Sequence, residues 1–259
     1  MNQLAILLNF SRQDLVDRYA NSLLGVLWAF LFPLVNILVF VLVFSKIMGA
    51  RLGTLGEEFN QYGYSIYLIS GVLAWNAFAQ SLLRISTIYS DKREIITKVR
   101  VSLPALPLYI LLTESVIYLI SMGFFVLFLL AIGFPITAAW LWIIPVFILQ
   151  MLFAYALGFL AATLGVFLKD VREFVQVLVQ LWFWMTPIVY VTGILSPGIR
   201  DLFVWNPAYA FIDAYHQVIV HAQAPRLGSL MVFALVSALL LVVEGWFYRH
   251  LERDIRDFI

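Results

Sequence analysis

Arg84 to Arg100 reads RISTIYSDKREIITKVR, and this stretch decides the class of the chain. It holds Arg84, Lys92, Arg93, Lys98 and Arg100 against only Asp91 and Glu94. Phe59 to Leu83 before it carries no charged residue, and Val101 to Leu168 after it carries only Glu114. A net-positive island between two long apolar runs reads as a cytoplasmic loop between two membrane spans, held inside by its Lys and Arg. Ile85, Ile88, Ile95 and Ile96 interleave with the charges, which suits a short amphipathic helix along the membrane surface. A plain helical-hairpin connection with a positive bias is the alternative.

Composition agrees with the island. Of 259 residues, 63% are hydrophobic and 12% are charged. Soluble domains carry about 25% charged residues, so lipid must solvate most of this chain. The chain has no cysteine, which excludes disulfide and thiolate chemistry. It has no Walker A loop and no HExxH, and its three His residues are scattered. No catalytic, cofactor or metal site is expected, and nothing points to nucleic acid. The N-terminus lacks the basic start and cleavage site of a signal peptide.

Outward from the island, the runs resolve into six spans with both termini inside. Residues 1–24 place Leu4, Leu8, Leu15 and Tyr19 at helical spacing and are too polar to cross. They read as an interfacial helix, with a disordered leader as the alternative. Residues 25–259 form the membrane domain. Leu23 to Ser45 is the first span, kinked or entered at Pro33. Gly49, Gly53 and Gly56 mark an outer loop ending in Glu57 and Glu58. Phe59 to Leu83 is the second span. The third, Val101 to Gly133, contains Glu114, a carboxylate that faces protein or water or pairs with a basic neighbour near the inner surface. Ala138 to Leu168 is uncharged for 31 residues, longer than the bilayer core requires, so it tilts, bends or starts in the interface. Phe174 to Val191 is the fifth span, broken at Pro187. Thr192 to Pro225 is too interrupted by Gly and Pro for one span and too apolar for a free loop. It reads as short helices re-entering from outside, between about 196 and 222, beside a route that shelters their irregular backbone. A surface-lying outer loop is the alternative. Leu227 to Val243 is the last span. Twelve of the sixteen Lys and Arg then lie inside, the exceptions being Lys46, Arg51, Arg200 and Arg226.

Several motifs resemble one family. Arg12-Gln-Asp-Leu-Val-Asp-Arg-Tyr19, then Leu24-Gly25, Trp28 and Pro33, is similar to the start of the polysaccharide-export branch of ABC-2 type permeases. Gly71, Trp75, Lys169-Asp170-Val171, Phe183-Trp184-Met185-Thr186-Pro187-Ile188, Tyr190 and Asn206-Pro207 continue the likeness. Lys169 stands where an Arg commonly precedes the Asp-Val pair. The resemblance implies an all-α, six-span type V exporter fold in the bacterial inner membrane. It implies a homodimer powered by a separate cytoplasmic nucleotide-binding ATPase dimer. The implied cargo is a lipid-linked glycan, foremost O-antigen, then capsule or teichoic acid; a drug or small-lipid exporter and a secondary transporter are the alternatives. The ATPase would dock on the interfacial helix, with Arg12 and Arg18, and on a coupling helix near 90–99, with Asp91, Lys92, Arg93, Glu94, Lys98 and Arg100. A glycan route needs amphipathic rings rather than fixed charges. Trp75, Tyr109, Trp184 and Tyr190, with the break at Pro187, are the candidate channel and gate residues.

Overall fold

The computed structural model describes residues 3–18, 22–47, 60–98, 102–192, 196, 198, 202, 203 and 205–258. The described chain is helical throughout. In order come α1 (Gln3–Arg18), α2 (Trp28–Val41), which continues as a π-helical turn over Leu42–Ile47, and α3 (Asn60–Ser86). Next are α4 (Ile88–Asp91), α5 (Arg93–Lys98), α6 (Leu108–Ala131) and α7 (Ile143–Phe167). The chain closes with α8 (Val171–Trp184), α9 (Pro207–Ile219) and α10 (Leu227–Phe258).

Five segments are long and apolar enough to cross a membrane: Trp28–Ser45, Gln61–Ser86, Leu108–Ala131, Ala138–Phe167 and Leu227–Glu252. They make the chain an all-α integral membrane protein. Burial ranks them. The α3 segment is 78% buried, against 22% for the α2 segment and 17% for the α10 segment. The middle of the fold is therefore α3, and α2 and α10 leave most of their surface to lipid or to neighbours outside the chain. The long uncharged run that begins at Ala138 opens with a 3-10 turn, Ala138–Trp142, so α7 itself is 25 residues.

The fifth expected span differs. The helix α8 has 14 residues, about 21 Å of rise against a core of about 30 Å. It stops at Trp184, and residues 185–192 leave the helix. Pro187 explains the early stop, because proline disfavours helical geometry in the residue before it. Beyond the break, α9 is buried against α3 and α7, with Phe211, Ile212, Tyr215 and Val218 nearly inaccessible. Within Thr192 to Pro225, residues 193–195, 197, 199–201 and 204 lie outside the described residues, as do the loop glycines Gly49, Gly53 and Gly56.

At the charged end, the island forms two short helices rather than one. Thr87 and Lys92 sit in the turns that delimit them. Ile85, Ile88, Tyr89 and Ile96 turn inward onto Leu103, Leu106, Tyr109 and Phe159. α1 packs on α6 through one side: Leu7 and Phe10 turn inward and Ser11 pairs with Thr113 at 3.1 Å. Leu8 is 53% exposed, on a side that an interfacial helix turns to the bilayer surface. Tyr19 lies outside the described residues.

The tightest crossing joins α3 to α7. A Cβ added at Gly158 would stand 2.7 Å from both Cβ and Cγ2 of Ile85. Ile85 branches at Cβ and cannot rotate clear. Gly158→Val is expected to cost about 3 kcal/mol by overpacking, seen as a lower thermal midpoint in detergent. Gly165→Ala is the control, since its added Cβ would meet only Ser86 O at 3.7 Å. Equal midpoints for Gly158→Val and wild type would refute this account of the crossing.

Candidate functional site

A helix broken inside an apolar protein leaves carbonyls without partners, and each must find a donor. Around residues 184–190 side chains supply the donors. The Tyr67 hydroxyl shares its single proton between Pro187 O at 3.0 Å and Tyr190 O at 3.1 Å. Tyr64 donates its hydroxyl to Val189 O. The Tyr190 hydroxyl turns back to Trp184 O, 3.0 Å. Asn206 Nδ2 donates to Met185 O and Thr186 Oγ1, both at 3.1 Å. Its Oδ1 accepts from Trp182 Nε1 at 2.6 Å and from the backbone N–H of Ala208 at 3.0 Å. Asn206 is thus also the N-cap of α9, with Pro207 at the first helical position, where a missing N–H costs nothing. One side chain ties the end of α8 to the start of α9.

α9 is pinned to α3 in turn. His216 lies fully inside, stacked on the Tyr67 ring with centroids 3.7 Å apart. Its Nε2 donates to Tyr67 O at 3.1 Å, because a carbonyl can only accept. Gly71 makes the approach possible: a Cβ there would stand 3.0 Å from His216 Nε2 and 3.3 Å from Ile188 Cγ2. Tyr67, Gly71, Asn206 and His216 therefore form one brace around the break.

The expected gate residues divide. Trp184 is 60% exposed at the end of α8. Tyr190 is half-buried with its ring tilted against Phe203, centroids 6.5 Å apart, and Pro187 is buried. These three share the break. Trp75 is covered by Phe78, Trp182 and Phe183 of the same chain. Tyr109 lies in the charged-end cluster, against Phe10 and under Lys92, whose Nζ is 6.0 Å from the ring centre. Sequence reading missed the brace itself. Nothing in the spacing of Tyr64 and Tyr67 tells a ring of an interfacial aromatic belt from one that caps a broken helix.

The charged end carries a second set of groups. Glu114 is buried and takes two arginines on one oxygen: Arg18 of α1 at 2.5 Å and Arg84 of α3 at 2.7 Å. Arg84 also reaches Asp14 of α1 at 2.5 Å. Glu114 thus pairs with basic neighbours, and Arg18, expected on a docking face, is held inward by a carboxylate that needs a cation. Arg12, Asp91, Arg93 and Glu94 remain exposed. Arg100 and the side chain of Lys98 lie outside the described residues. Among the described residues no three His, Asp or Glu side chains gather as a metal site.

Residues 4–220, most of the chain, match the family described as ABC-2 type transporter. The chain belongs to the ABC-2 type transporter family. Relatives of this ABC-2 chain include an O-antigen export system permease protein of Myxococcus xanthus, 29% identical over 239 residues, which cover 91% of this chain and 88% of that protein. A protein of the same description from Klebsiella pneumoniae is 25% identical over 217 residues, covering 83% and 80%. The ABC-2 chain is a permease-type membrane component, and both the braced break and the ionic cluster fall within the family match.

Proposed function

We propose that this chain is the transmembrane subunit of an ATP-driven exporter that moves a lipid-linked polysaccharide of the O-antigen kind across the bacterial inner membrane. The observation that carries the reading is the likeness to O-antigen export permeases over four-fifths or more of their length. The chain brings no phosphate-binding loop, so a separate nucleotide-binding ATPase supplies the energy. In this reading two copies pair, six spans put both termini in the cytoplasm, and α8 with residues 185–192 completes the fifth. The ATPase docks on α1 and on α4–α5, where the exposed Arg93 and Glu94 guide the encounter. The re-entrant segment between 196 and 222 caps the route on the outer side. Trp184 and Tyr190 flank the break and present ring faces to sugar C–H groups. The buried Trp75 packs on Trp182 and Phe183 of α8, and Tyr109 lies in the charged-end cluster.

The test is made in cells lacking the native gene but keeping its ATPase partner. Carbohydrate polymer on intact cells is measured by hydrazide labelling after periodate oxidation. Wild type is expected to restore it. Trp184→Ala and Tyr190→Ala, at equal membrane level and equal ATPase binding, are expected to lower it about tenfold, the scale of a lost stacking face. No polymer with wild type would refute the export reading. Full polymer with both variants would place these rings outside the route.

A further inference from the structure

We propose that the cleft between α2, α3 and α6 is a binding site for uncharged sugar units of the cargo, with Asn36, Asn76 and Gln80 as its hydrogen-bonding groups. The inference rests on the export reading above and names a site that reading does not use. The cleft has a volume of about 510 Å³ and is partly open, within the span of small-molecule sites. Asn36 sits midway along the Trp28–Ser45 segment, and Asn76 and Gln80 lie one turn apart on the Gln61–Ser86 segment. All three are exposed on segments that are otherwise strongly apolar.

None of the three carboxamides has a hydrogen-bond partner among the described residues. Two buried or half-buried carboxamides of the fold do. Gln150 donates to Ala74 O at 2.8 Å, and Asn206 makes all of its bonds. An amide moved into hydrocarbon without a partner costs roughly 2–7 kcal/mol, so three together at membrane depth need something other than lipid. The chemistry of the cleft narrows what that is. Its inner end is closed by Arg18 and Glu114, which neutralise each other at 2.5 Å. No net charge is left to attract an anion or a cation. A carboxamide offers both a donor and an acceptor, which matches a hydroxyl. The apolar wall, Phe32 among it, matches the C–H face of a sugar ring. A second copy of the chain fits less well: spans associate through small residues that allow close approach, while the apolar residues that α2 exposes are large: Phe30, Phe32, Val35, Leu38 and Val39.

Two variants of the full permease, expressed with its ATPase partner, test this. In Asn76→Leu/Gln80→Leu the shape is nearly kept, the carboxamides are lost, and insertion into lipid is not impaired. Polymer on intact cells is expected to fall about tenfold or more, as when a site built for hydroxyls loses its partners, with protein level and subunit association unchanged. In Asn76→Cys the thiol is the chain's only one. It is expected to react with a charged, membrane-impermeant methanethiosulfonate, as a water-filled cleft allows. Wild-type export by the leucine variant, or no reaction at Cys in the second variant, overturns the proposal. Loss of subunit association in the leucine variant overturns it too, and assigns the face to contact between copies. Absence of polymer with wild type removes the export reading and this inference with it. The leucine variant failing alone to lower export removes only the inference.

Discussion

Asn206→Ala is expected to cost about 4 kcal/mol and to abolish export, the largest effect of any single carboxamide in the fold. Four hydrogen bonds converge on this side chain. Each contributes about 1 kcal/mol net, and a buried donor or acceptor left alone costs more than that. Met185 O and Trp182 Nε1 have no other partner among the described bonds, and water is scarce at a helix break inside an apolar protein. The decisive comparison is Asn206→Asp. Aspartate is as good an N-cap as asparagine, so if Asn206 served only to start α9, this variant would behave as wild type. As the brace of the break it needs two donors on Nδ2. A carboxylate there faces Met185 O with an acceptor instead, so Asn206→Asp is expected to lose nearly as much as Asn206→Ala. Thermal unfolding in detergent reads the stability, and surface polymer reads the function. A fully stable aspartate variant would reduce Asn206 to a helix cap.

Arg84→Met is expected to cost about 3 kcal/mol, because it strips a buried ionic cluster of its central cation. Arg84 reaches Glu114 at 2.7 Å and Asp14 at 2.5 Å. Without it, among the described residues Glu114 keeps only Arg18, and Asp14 keeps no ion pair while its Oδ2 is already without a partner. Arg84 is 24% and Glu114 3% exposed at the side chain, so solvent screening does not rescue them as it would a surface pair. Replacing the set together should behave differently. Asp14→Leu/Arg84→Met/Glu114→Leu is expected to fall within about 1 kcal/mol of wild type, since apolar groups of similar volume fill such sites without a desolvation cost and Arg18, 27% exposed at the side chain, can turn out to solvent. The triple variant also separates stability from coupling. The cluster joins α1 and α6 to α3 two turns or less before α4, where the ATPase is proposed to dock. A stable triple variant with weak stimulation of ATPase activity would assign the cluster to coupling. An Arg84→Met variant as stable as wild type would show the ion pairs to be energetically idle.

Much of this was legible in the sequence, for particular reasons. A 25-residue uncharged stretch from Phe59 to Leu83 has only one stable environment, and five such segments appear as long helices. The island of Lys and Arg marks one end of the bundle because charge partitions out of lipid regardless of packing. The break after α8, in the segment expected as the fifth span, was announced by Pro187, although the stop falls earlier, at Trp184. Glu114 was visible as the lone carboxylate in 68 residues, and the sequence left its surroundings open.

What only the tertiary structure decided was pairing across distance. Tyr67 meets Pro187 across 120 residues and His216 across 149, and no local period encodes either meeting. The same holds for Asn36, Asn76 and Gln80, which look like isolated polar residues until α2, α3 and α6 bring them to one cleft. Which side of α1 meets α6 was not legible in its leucine spacing: Leu7, Phe10 and Ser11 turn inward beside the pairing of Arg84 with Glu114 from other helices. The sequence by itself determined that the chain is helical and lives in lipid, since those follow from solvation residue by residue. The burial of α3 at the centre, the brace around the break and the ionic cluster were decided by the fold. Their energies depend on which groups end up facing each other, and hydrogen bonds and ion pairs, unlike hydrophobic burial, are directional and need a named partner.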